Sequence, residues 1–281
     1  MLEQSRLTGF IDQKAGFTLH FFDGQSVIRD LALIHDIKGD GFSFFRDAVL
    51  TFLPLISYLK SGEQFGFYID SNEPWFRFKL EASSLGYMRT LLFPESFNDF
   101  PKKINGNCRL TKISPGQREP YNTLLALEGL SIAEVSNLIL TESYQVKSRI
   151  YLSDTSDQSF IIQRLPDQQV DQVDAEDRPS LDEYYNSTLS TLSSFIDSGQ
   201  ATYDDIIEHF KKEDMELLTS TEISFKCGCS RDRMLQGVAS LVRSEGIDGI
   251  FEDKDEIETK CDYCKTFYLI TKDEVRTSLT Q

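Results

Sequence analysis

From residue 42 to 59 apolar positions recur every three or four residues, with Phe45, Ala48, Val49, Phe52, Ile56 and Leu59 on one stripe. That period predicts a helix, kinked where Pro54 withdraws a backbone donor. The rhythm then shortens. Segments 64–70, 75–81, 85–93, 109–114 and 121–128 are aromatic or β-branched and separated by Gly, Pro, Asn and Ser, which predicts a run of strands. Ser131-Ile132-Ala133-Glu134 is a capping box opening a helix to about Thr141, and 146–152 and 160–165 read as further strands. Strands largely in succession, with few helices between them, predict an α+β core domain over residues 1–170.

The pattern changes at 167–183, where seven acidic residues accompany one Arg and almost nothing can be buried before Leu181. This reads as a linker, continuing as helices to about residue 220. Ser180 and Glu183 form a second capping box, and Tyr184, Tyr185, Leu189, Leu192, Phe195 and Ile196 recur at helical spacing up to a stop at Gly199. Thr202 caps a shorter helix carrying Tyr203, Ile206, Ile207 and Phe210. Such apolar faces must rest on something, and the stripe from Tyr184 to Ile196 is a candidate cover that a partner protein could also bind.

Residues 221–281 form the third segment. Phe225-Lys226 reads as a strand. Ser230 caps a helix with the stripe Met234, Leu235, Val238, Leu241 and Val242, ended by Gly246, and 256–260 and 266–270 form a hairpin. Cysteines lie at both ends of this pattern: Cys227-Gly228-Cys229 before the helix and Cys261-Asp262-Tyr263-Cys264 in the hairpin turn, with 31 residues between the pairs. Four thiolates in two short-spaced pairs fit a closed tetrahedral zinc site with no vacancy for a substrate water. A unit this small rarely builds enough core to fold unaided, so a structural metal is expected. The pairs are also close enough to close local disulfides if the backbone adapts. Lys226, Arg231, Arg233, Lys260 and Lys265 are expected to crowd the thiolates and lower their pKa. His209 belongs to a helix 18 positions before Cys227 and is not counted as a ligand, and Cys108 stands alone.

Composition narrows the function. The chain of 281 residues carries 29 Lys plus Arg against 45 Asp plus Glu, a formal net charge of −16, which argues against nucleic acid as a partner. A hydrophobic fraction of 40% supports a folded core. No apolar run approaches the ~20 residues of a bilayer span, and the opening MLEQSRLTGFIDQKAG lacks a basic segment leading into a hydrophobic one, so a soluble cytoplasmic protein is expected. No nucleophile elbow, P-loop or dinucleotide fingerprint is present, and a redox CxxC normally opens a helix instead of sitting in a hairpin turn. An enzyme is therefore not expected.

Residues 225–233, Phe-Lys-Cys-Gly-Cys-Ser-Arg-Asp-Arg, followed by Cys261-Asp262-Tyr263-Cys264 and Phe267-Tyr268-Leu269, resemble the redox-switch domain of the 33 kDa chaperonin family, the zinc-dependent bacterial holdases. Leu124-Leu125-Ala126-Leu127-Glu128-Gly129, Glu142-Ser143-Tyr144-Gln145 and Ile161-Ile162-Gln163-Arg164-Leu165-Pro166 are similar to its core domain, so the likeness covers nearly the whole chain. The resemblance implies an ATP-independent cytosolic chaperone, inactive when reduced and loaded with one zinc ion. It implies that oxidation joins Cys227 to Cys229 and Cys261 to Cys264, that zinc leaves, that linker and switch domain unfold, and that a client-binding homodimer forms.

Energetics agree with that scheme. A structural zinc contributes about 10–16 kcal/mol of apparent folding free energy in small units. A disulfide closing a loop of four limits the unfolded chain by only about 2 kcal/mol, and does nothing to hold the two pairs together. The competing reading is a constitutive zinc-ribbon interaction module that oxidation merely damages.

Overall fold

The computed structural model describes residues 3–95, 100–166, 178–199 and 201–280, apart from the side chain of Ser194. Most of the acidic stretch, 167–177, lies outside the described residues. The chain divides into two compact units, Met1–Phe225 and Lys226–Gln281.

The first unit opens with β1 (Arg6–Asp12), β2 (Phe17–Asp23) and α1 (Gln25–Ile34), elements that the hydrophobic pattern does not announce. The cause is burial on both faces. On β2, Phe17, Leu19 and Phe21 point to one apolar cluster while Phe22 points to another, so no apolar–polar alternation marks the strand. α1 starts at Gly24 with no side-chain cap, so the usual start signal is missing as well.

The helix predicted over 42–59 is α2 (Gly39–Phe52) followed by a 3₁₀ turn, Leu53–Tyr58, with Pro54 in its first residues. A proline fits there because the opening turn of a helix has no partner for its N–H groups. Next come β3 (Gln64–Glu73), β4 (Trp75–Ser83), β5 (Tyr87–Phe93), β6 (Ile104–Ile113) and β7 (Tyr121–Leu130). The predicted strand run is correct in number, and β6 begins earlier than its pattern suggests. α3 (Ile132–Tyr144) opens on the full capping box, in which the Glu134 carboxylate accepts from Ser131 N at 2.7 Å. β8 (Ser148–Leu152) and β9 (Gln158–Arg164) follow, then α4 (Leu181–Asp197), α5 (Tyr203–Lys212), β10 (Glu216–Glu222) and the short β11 (Ser224–Phe225).

These strands build two sheets, ordered β10-β1-β2-β9-β8 and β11-β5-β4-β3-β6-β7. One large apolar cluster includes Phe22, Phe44, Phe52, Phe67, Phe78 and Ile161, drawn from both sheets and from α2. A second cluster lies against the first sheet, where Phe10, Phe17, Leu19, Phe21, Phe160 and Ile162 meet Leu192 and Ile196 of α4 and Ile206 and Phe210 of α5. α4, α5 and β10 thus belong to the first unit. β10 pairs antiparallel with β1, from Arg6 opposite Glu222 to Ile11 opposite Glu216.

The second unit contains α6 (Arg231–Glu245), α7 (Ile247–Phe251), the hairpin β12 (Glu256–Lys260) with β13 (Phe267–Thr271), and α8 (Lys272–Thr280). Its core is Val238, Ala239, Val242, Phe251, Ile270 and Val275. The fold is α+β with a small cysteine-bearing unit at its C-terminal side, as the pattern predicts.

Candidate metal centre

All four paired cysteines converge in the second unit. Cys227 and Cys229 sit in the turn before α6, which Ser230 caps by accepting from Arg233 N at 3.3 Å. The Arg233 guanidinium then reaches back to donate to Gly228 O at 2.7 Å, fixing the carbonyl between the two sulfurs' residues. Cys261 and Cys264 occupy the turn joining β12 to β13. Lys265 N donates to Cys261 O and Cys261 N to Thr266 O, each at 2.9 Å, with Lys265 in the left-handed region at φ 60°. The two turns present Sγ atoms that all lie within 4.8 Å of one another. Cys227 Sγ is 3.7 Å from Cys261 Sγ, and Cys229 Sγ is 3.3 Å from Cys264 Sγ. A tetrahedron with metal–sulfur bonds of about 2.3 Å has edges of about 3.8 Å, so the cluster has the size and donor chemistry of a four-thiolate zinc site. Cys261 is buried and the other three are partly exposed.

Two neighbours escape a reading based on cysteine spacing. Tyr268 Oη is 3.0 Å from Cys229 Sγ, and Thr266 Oγ1 is 3.2 Å from Cys264 Sγ. Tyr268 shares a face of β13 with buried Ile270, and period-two alternation could have placed it inward. Burial opposes ionisation of Cys264, but the Thr266 hydroxyl and backbone N–H outweigh it and bring the thiol down to about 6. Cys227 is pushed up to about 12, by burial first and then by its contacts with the Cys229, Cys261 and Cys264 thiols, against the lowering effect of a backbone hydrogen bond from Cys229. Its hydrogen bond to Cys229 Sγ pushes the Tyr268 phenol up to about 12.

Three of the five cations expected to crowd the sulfurs have other partners. Arg231 donates to Leu269 O at 2.8 Å and pairs with Glu274, Arg233 is committed to Gly228 O, and the Lys260 ammonium lies 5.3 Å from the Phe267 ring centroid. What lowers Cys264 is the Thr266 hydroxyl and amide, joined by its contacts with the Cys229 and Cys261 sulfurs.

Cys108 is fully buried on β6, and burial pushes its thiol up to about 12. His209 lies on α5 in the first unit, stacked on Phe195 with ring centroids 5.4 Å apart. The six residues of the predicted cover all pack into the second apolar cluster of the first unit, Leu192 and Ile196 buried and the others at its margin. Tyr184 stacks on Phe17 at 4.1 Å and donates to Asp12 Oδ2 at 3.0 Å. At the far end of α4, Tyr151 and Ser153 hydroxyls donate to Asp197 Oδ1 at 2.9 and 2.6 Å.

Fold and site together define a two-part α+β protein with a four-cysteine centre suited to zinc. A family model described as Hsp33 protein matches residues 5–271, and the chain belongs to that family. It is 31% identical over 166 residues to a 33 kDa chaperonin of Nitrosococcus oceani, covering 58% of this chain and 54% of that protein. With a 33 kDa chaperonin of Photobacterium profundum it shares 29% over 162 residues, 56% of this chain and 53% of the relative. The chain thus spans about half the length of the curated relatives it matches. The crystal structure of a 33 kDa chaperonin from Thermotoga maritima has the same fold, with a TM-score of 0.72 and 18% identity over 99% of this chain and 98% of the other. Among the described residues no helix is long and apolar enough to cross a membrane.

Proposed function

We propose that the protein is an ATP-independent chaperone of the cytoplasm whose grip on unfolding clients is set by the redox state of Cys227, Cys229, Cys261 and Cys264. The observation that carries this reading is the gathering of those four sulfurs within 4.8 Å from two turns 31 residues apart. A zinc ion held there would supply a tetrahedral cross-link between the turns. Oxidation by peroxide or hypochlorite takes two electrons from each pair of thiolates as one S–S bond forms, giving Cys227–Cys229 and Cys261–Cys264, reducing the oxidant to water or chloride and releasing the metal that the thiolates held. No thiolate then remains to hold the two turns together, and the six-residue core of the second unit is small for independent stability.

In the first unit the client surface is the apolar face now under α4. Tyr184, Tyr185, Leu189, Leu192, Phe195 and Ile196 cover Phe17, Leu19, Phe21, Phe160 and Ile162, and either side of that contact offers aromatic and aliphatic surface once parted. The active form is a homodimer. The test is light scattering from a thermally unfolding client with reduced, oxidised and Cys227→Ser protein. Suppression by the oxidised protein, absent from the reduced one, supports the proposal. Equal activity in both states would instead indicate a constitutive zinc module.

A further inference from the structure

The last helical residue of α4 is an aspartate, Asp197, set where the helix end already carries partial negative charge. An anion there works against the helix that contains it. What it gains is the turn between β8 and β9. The Asp197 carboxylate accepts from Tyr151 Oη at 2.9 and 3.0 Å and from the buried Ser153 hydroxyl at 2.6 Å, while Thr155 Oγ1 donates to the Asp197 carbonyl at 2.7 Å. Ser153 Oγ in turn accepts from Ser156 N at 3.0 Å, which aims its proton at the carboxylate. The turn is held from behind. Arg46 of α2 donates to Asp157 Oδ1 at 2.6 Å, to Ser153 O at 2.8 Å and to Ser156 O, and Gly24 N donates to Asp157 O at 2.8 Å. At the opposite end of α4, Asp182 meets Arg149 at 2.8 Å with both side chains exposed, a pairing that contributes little.

We propose that Asp197 is a positioning residue: its carboxylate clasps α4 onto the apolar face of the first sheet, and its removal bares that face without oxidation. The inference rests on the reading of that face as the client surface only for its effect on clients. Hydroxyl–carboxylate bonds are charge-assisted and roughly twice as strong as neutral ones. Leu192 and Ile196, the two fully buried residues of the cover, lie within the last turn and a half before the clasp, so the anchored end is the one that carries the buried side chains. No cysteine takes part.

The test uses full-length reduced protein, with zinc content and circular dichroism matched to wild type. Amide hydrogen exchange, bis-ANS binding and light scattering from a thermally unfolding client are followed in parallel. Asp197→Ala is expected to speed exchange across residues 189–197 at least tenfold and to raise dye binding at least threefold. Asp197→Asn, which keeps one acceptor oxygen, should recover part of the protection, and Asp182→Ala should match wild type. A role confined to the helix gives the reverse sign, because removing the anion favours the helix itself. Ser153→Ala attacks the clasp from the other side, and adding it to Asp197→Ala should bring little further exchange. Slowed or unchanged exchange in Asp197→Ala, or an equal effect of Asp182→Ala, overturns the proposal. Faster exchange and dye uptake with client scattering as in the reduced wild type would uphold the clasp and refute the client surface.

Discussion

Cys227 Sγ and Cys261 Sγ lie 3.7 Å apart although 34 positions separate them in sequence, and no element of regular structure joins the two turns directly among the described residues. Their proximity is a property of the folded second unit. Substituting Cys261→Ser should therefore abolish stoichiometric zinc binding and make residues 226–281 protease-sensitive, with the first unit intact. Metal analysis and limited proteolysis check this. The loss is on the scale of the ~10–16 kcal/mol that structural zinc contributes in small units.

The same proximity makes the oxidised connectivity informative. Peptide mapping after peroxide should find Cys227 joined to Cys229 and Cys261 to Cys264. Predominant bridges between the two turns would keep the unit stapled and defeat the proposed release.

Tyr268 acts one step out from the sulfurs. In Tyr268→Phe the Cys229 thiolate loses a hydroxyl partner, and zinc affinity should fall roughly 10–100-fold, as outer-shell losses commonly do. Competition with a chromophoric chelator measures it. An unchanged affinity would show that the 3.0 Å contact is incidental.

The apolar face under α4 predicts a dye response. Leu189→Asp with Phe195→Asp should raise bis-ANS binding under reducing conditions, because both side chains pack on the covered cluster. Leu192→Ala, at a fully buried position, should destabilise the first unit by about 2–5 kcal/mol. Dye uptake in the double variant equal to the reduced wild type would remove α4 as the cover.

Acid stability has a readable sign. Burial lowers the His20 pKa from 6.5 to about 4, so its contribution to stability is present above pH 6.5 and is lost as pH falls toward 4. The shift corresponds to about 3 kcal/mol. Burial raises Asp23 from 3.8 to about 6, which has the opposite sign, favouring the folded state as pH drops through 6. Asp23→Asn should thus steepen the loss of stability between pH 6.5 and 4 in denaturant titrations. A shallower slope would contradict the assignment.

Local signals were legible and long-range ones were not. Ser131 with Glu134, Ser180 with Glu183 and Thr202 with Asp205 all form complete capping boxes. The cysteine spacing located the metal-type centre because zinc coordination demands particular donors at short separations. β10 gave no sign: its Leu217 and Leu218 are about half exposed, and its partner β1 is some 210 positions away in sequence, as with Arg6 and Glu222. The partners that Arg231, Arg233 and Lys260 take near the sulfurs, Glu274 and Leu269 O, Gly228 O and the Phe267 ring, were not legible, because a sequence lists charges without saying which carbonyls, carboxylates and rings will claim them.

β10 is the outermost strand of its sheet and also the stretch of chain that leads from α5 toward the cysteines. Between β10 and the cysteines lies β11, which pairs with β5 of the other sheet. Losing β10 from its edge would bare the rim of β1, and a bare rim is itself a template for an extended stranger.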